Sequence, residues 1–148
     1  MAAFVTAGGG FLLAVLWFDL MFDVQALGHR GPLPESVLAS ISGYYARVTT
    51  AARPMNRLVA LVMLATLAAI VVEITKVETP AWVGWASLGL AGLAIGIAAG
   101  HTVPAAVRLG ARRDAPDVQS RLARSILRDH IVCLAAIAAL VTVQLTSA

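Results

Sequence analysis

The sequence predicts an all-α integral membrane protein: a four-helix transmembrane bundle with an amphipathic helix on the inner surface between helices 1 and 2. Three observations carry this. The 148 residues are 59% hydrophobic and 13% charged, with a mean hydropathy of +0.84, whereas a soluble domain is roughly 25% charged. Four apolar runs approach the ~20 helical residues that cross a ~30 Å hydrocarbon core. Ten of the 11 Lys and Arg residues fall on one side of those runs. The length suits one domain, residues 1–148.

Helix 1 is predicted over about 3–22. It lacks a basic leader and ends in "DLMFD" rather than at a small-residue cleavage site, so it reads as a retained span. After "GPLPES", the residues Val37, Leu38, Ile41, Tyr44, Tyr45 and Val48 recur at helical spacing. They predict an in-plane helix over about 35–50, with Pro34 at its first position and its tyrosines at headgroup level. Helix 2 is predicted over about 55–72 and helix 3 over about 81–103. In helix 3, Gly92, Gly96 and Gly100 form a small-residue stripe for close helix packing, within the bundle or in a homo-oligomer or larger complex. Helix 4 is predicted over about 125–145 and contains Cys133, the single cysteine, which excludes an intrachain disulfide.

Orientation follows from the basic residues. Arg30, Arg47, Arg53, Arg57, Arg108, Arg112, Arg113, Arg121, Arg124 and Arg128 flank two long loops, and Lys76 stands alone opposite them. Positive charge stays inside. Both long loops are therefore expected in the cytoplasm and both termini outside it, with the chain in the cytoplasmic membrane. Glu73 and Glu78 flank the short outer loop. Basic residues without interleaved aromatics suit anionic lipid, not nucleic acid.

Candidate chemistry sits at the inner ends of the helices. Asp19 and Asp23 are spaced i, i+4 on one helix face. His101 closes helix 3, and His130 lies about a turn inside helix 4. Ionisable groups at this depth are functional candidates. Asp19, Asp23, His101 and His130 could together hold a divalent iron, manganese or zinc ion, with His101 and His130 in catalysis. A b-type haem between the two histidines is a further option. The bland alternative is that the aspartates pair with the ridge of Arg121, Arg124 and Arg128, or with Arg108. No HExxH, CxxC or phosphate-binding glycine loop is present.

The order of parts resembles the anthrone oxygenase-like family of small four-helix membrane proteins (domain of unknown function 1772). The likeness rests on a long loop after helix 1, on "PMNRL" opening helix 2, on "HTVPAAVRLG" closing helix 3, and on "RLARSILRDHIVCLAA" opening helix 4. Thr102 and Ala106 stand where that family has Asn. Asp129 stands in place of the helix 4 Asn, and Val132 in place of its Arg. Pro104 matches, and His130 is the one further candidate. The resemblance implies the fold and a membrane-bound oxygenase ancestry, without a transferred active site. The expected function is a membrane oxidoreductase or oxygenase acting on a lipophilic substrate. The alternatives are an accessory subunit of a larger membrane complex or a transporter.

Overall fold

The computed structural model describes residues 1–51, 53–76 and 79–147. Glu78 and the side chains of Arg53 and Pro54 lie outside the described residues. The helices are α1 (Ala2–Asp23), α2 (Glu35–Ala46), α3 (Arg53–Lys76), α4 (Ala81–Ile97), α5 (Val103–Ala111) and α6 (Pro116–Thr146). Among the described residues there is no strand. Four helical stretches are long and apolar enough to cross a membrane: Ala2–Ala26, Met55–Lys76, Ala81–Ala111 and Pro116–Thr146.

The outward faces have the composition of a lipid-facing surface. Phe4, Leu61, Leu64, Trp82 and Trp85 are each at least 60% exposed. In water such a surface would be strongly unfavourable, whereas hydrocarbon solvates it. α6 is the hub. It packs on α1 and α4 along its length and on α5 and α2 nearer its start, while α3 packs on α1 and α4.

Local chemistry explains where the helices start and stop. α6 begins at Pro116, nine residues before the apolar run predicted. Proline loses nothing at a first helical position. Asp117 favours the positive helix start, and its carboxylate accepts from Arg121 at 2.8 Å, four residues on. α2 starts at Glu35, so Pro34 stands as its N-cap and not at its first helical position. A five-residue π turn, Arg47–Ala51, takes up the end of the predicted in-plane stretch.

A second π turn, Ala98–Thr102, separates α4 from α5. Pro104 explains it. Its ring would press on the carbonyl four residues back and it donates no N–H, so the turn widens to admit it. The widened turn sets the directions of His101 and Thr102, which it carries.

Among the described residues, the glycine stripe packs on no other helix. Gly92, Gly96 and Gly100 are exposed, and a Cβ on any of them would meet nothing within 4 Å. The close approaches lie elsewhere. At Gly110 a Cβ would meet the backbone nitrogen of Ala46 at 2.8 Å, so α5 presses directly on α2 there. Gly96→Leu is therefore expected to leave the thermal unfolding of the solubilised chain unchanged. Gly110→Leu is expected to cost about 1–3 kcal/mol through overpacking. Circular dichroism melting of both variants checks the pair, and a Gly96→Leu protein that unfolds early would contradict this packing.

Candidate functional site

The last turns of α1 place Asp19 and Asp23 on one face, toward α2 and α6. α2 crosses beneath them and supplies Tyr44 and Tyr45, and α6 supplies His130. Tyr44 donates its hydroxyl to Asp19 Oδ1 at 2.6 Å, and Tyr45 donates to Asp23 Oδ1 at 2.6 Å. Asp23 Oδ2 lies 2.6 Å from His130 Nδ1. Asp23 is fully buried and His130 is 7% exposed.

An ionised carboxylate only accepts hydrogen bonds. Asp23 therefore fixes the His130 proton on Nδ1 and leaves Nε2 pointing away from it, 3.8 Å from Asp19 Oδ2. Phe22 stacks on Tyr44 with ring centroids 4.1 Å apart, and Tyr44 meets Tyr45 edge to face at 5.3 Å. Burial first, and the neighbouring aspartate second, push both phenols well above the usual tyrosine range. They stay protonated and serve as fixed donors.

Asp19, Tyr44, Tyr45 and His130 form the polar wall of a cavity of about 530 Å³, with Asp23 behind them. Thr49, Asn56 and Thr102 add three more polar groups, and Val15, Val59, Met63, Ile95 and Val103 supply apolar walls. A largely apolar cavity of this size with a few convergent polar groups is the usual form of a small-molecule site. A second hollow, about 580 Å³ between α1 and α3, is almost wholly apolar and has one hydroxyl, Thr66.

Three of the four residues singled out in the sequence come together: Asp19, Asp23 and His130. The fourth does not join them. His101 is on the π turn, where its Nδ1 lies 2.6 Å from Asp129 Oδ2 and its Nε2 lies 3.3 Å from Ser125 Oγ. Among the described residues, no group of three or more His, Cys, Asp and Glu is placed to hold a metal ion. A metal between Asp19 Oδ2 and His130 Nε2 would have only those two donors, because Asp23 is already committed to Tyr45 and to His130 Nδ1. Among the described residues, these four therefore do not complete a transition-metal site.

Arg121 and Arg124 of the arginine ridge are engaged elsewhere, and Arg128 has no partner among the described residues. Arg108 makes two bonds to Asp114, at 2.7 and 2.8 Å, and Arg112 reaches Glu35 at 2.8 Å. Arg124 donates to the carbonyls of His29 and Gly31. None of these pairs with Asp19 or Asp23, so the aspartates are not counter-ions to the ridge. Tyr44 and Tyr45 are the members of this cluster missed in the sequence, where they read only as headgroup anchors. The signal available was the demand that buried carboxylates find donors.

Glu73, beside the short outer loop, is fully buried among α3, α4 and α6. It accepts from Thr79 at 2.7 Å and from the Gln144 amide at 3.2 Å, and that amide also reaches Ser87 at 2.9 Å. Among the described residues no cation pairs with it. Glu73→Gln keeps an oxygen to accept from both donors and cannot ionise. Its melting temperature is expected to equal or exceed that of the wild type, and a large drop would show that the carboxyl group itself is required.

No family model matches the chain, and no curated protein or solved structure is detectably similar to it.

Proposed function

We propose that the cavity is an acid–base site for a lipophilic substrate, within a transmembrane four-helix bundle whose α2 lies on the inner membrane surface. The observation that supports this is His130: buried, locked by Asp23 at Nδ1, and facing Asp19 with Nε2 on the wall of an apolar cavity. A base held in this way removes a proton from an activated C–H or phenol O–H. Tyr44 and Asn56 are placed to orient the oxygen of such a substrate. The resulting carbanion or phenolate is electron-rich and can itself reduce dioxygen. An oxygenase reaction here would then need only the substrate and dioxygen.

In this reading, the basic residues set both long loops in the cytoplasm, and the substrate enters from the inner leaflet. Anthrone, a lipophilic carbon acid, tests it. Proteoliposomes in deuterated water under nitrogen are expected to speed exchange at its methylene carbon, and His130→Gln is expected to abolish the acceleration. Exchange no faster than in protein-free vesicles would overturn the reading. A stoichiometric transition metal in the purified protein would replace it with a metal-centred one. The exposed stripe of Gly92, Gly96 and Gly100 favours a second role in docking to a partner helix.

A further inference from the structure

We propose that Ser125, His101 and Asp129 form a second, nucleophilic site that cleaves acyl esters of anionic amphiphiles at the inner membrane surface. The site adjoins the cavity at Thr102, but its chemistry does not use Asp19, Asp23 or His130. Three roles are filled. Asp129 Oδ2 accepts from His101 Nδ1 at 2.6 Å and from the Thr102 hydroxyl at 2.8 Å. This fixes the imidazole tautomer and leaves Nε2 bare. Ser125 Oγ, 3.3 Å from Nε2, donates its proton there. Nucleophile, base and orienting carboxylate at such distances define an activated serine, and the first contact is often loose without substrate.

The surroundings indicate the substrate. His101 is 55% exposed at its side chain, so the base is open to the surface. Arg128 is one turn beyond Ser125 on the same face of α6 and is exposed, and among the described residues it has no hydrogen-bond or ion-pair partner. The next outward residues, Ile131 and Val132, are 50% and 44% exposed. The change from polar to apolar surface along α6 therefore falls at this site, at the level where a glycerolipid carries its ester bonds. A free guanidinium there suits a phosphate-bearing headgroup or the charge that develops on a carbonyl oxygen.

The step balances without a further cofactor. Ser125 Oγ bonds to the acyl carbon as His101 Nε2 takes the hydroxyl proton. The ester C–O bond breaks, and that proton leaves with the alcohol. Water then attacks the acyl-serine, its proton passes through His101 back to Ser125 Oγ, and a fatty acid is released.

The test uses the full chain in detergent with a fluorophosphonate probe, mapped by peptide mass spectrometry. Ser125 is expected to be labelled in the folded wild type. Ser125→Ala should lose the label, and His101→Gln should slow labelling by about 10²-fold or more. Vesicles of phosphatidylglycerol should release fatty acid with the wild type and not with Ser125→Ala. Glu73→Gln, in neither the cavity nor this site, should label normally. An unlabelled Ser125 in folded protein would overturn the proposal, as would equal labelling of His101→Gln or label on another serine alone.

Discussion

Replacing Asp23 with leucine is expected to destabilise the protein by about 2–6 kcal/mol, the cost of leaving two buried donors without an acceptor. Asp23 is fully buried, and each of its oxygens accepts a 2.6 Å bond, from Tyr45 and from His130. Leucine fills similar space but leaves a phenol and an imidazole N–H without acceptors in a region closed to water. Tyr45→Phe removes only one donor and should cost about 1–3 kcal/mol. The two sites share one network, so the double variant should lose less than the sum. Thermal unfolding in detergent measures all three. A wild-type melting temperature for Asp23→Leu would mean that the network does not hold α1, α2 and α6 together.

Much of this arrangement was legible in the sequence, for reasons specific to membranes. Apolar length alone locates the spans, because hydrocarbon obliges every backbone amide to bond within its own helix. The i, i+4 spacing of Asp19 and Asp23 put them on one face, and the order of the helices put His130 at the same end of the bundle. Tyr44 and Tyr45 were placed on the correct helix, but their partners were not legible. A phenol at headgroup level and a phenol donating into a buried carboxylate have the same local pattern. His101 was assigned to the wrong cluster because its direction depends on the π turn before Pro104. A widened turn rotates each later side chain, which sequence spacing does not reveal. The glycine stripe read as a packing seam, yet the close approach of α5 to α2 occurs at the lone Gly110.

Asp19→Asn is expected to reduce turnover of a lipophilic carbon acid by about 10²–10⁴-fold, the range for loss of a positioned acid–base group. Its effect on stability should be small. Asparagine keeps an oxygen to accept from Tyr44, and the Asp19 side chain is 16% exposed at the cavity edge. What the substitution removes is the negative charge facing His130 Nε2. Proton transfer through His130 leaves an imidazolium, and that charge is what Asp19 is placed to stabilise. Proteoliposome assays with anthrone give the rate, and melting of the same preparation gives the stability. Equal losses in both would point to a structural role instead.

The cavity as the substrate site is tested most directly by photolabelling with benzophenone, a lipophilic diaryl ketone that inserts readily at methionine. Met55 and Met63 line the cavity, whereas Met21 is 58% exposed on the outer face of α1. Irradiation in proteoliposomes is expected to label Met63 or Met55, with the label displaced by excess anthrone and reduced in Tyr44→Phe. Labelling of Met21 alone, or labelling at Met55 and Met63 that anthrone does not displace, would contradict the account.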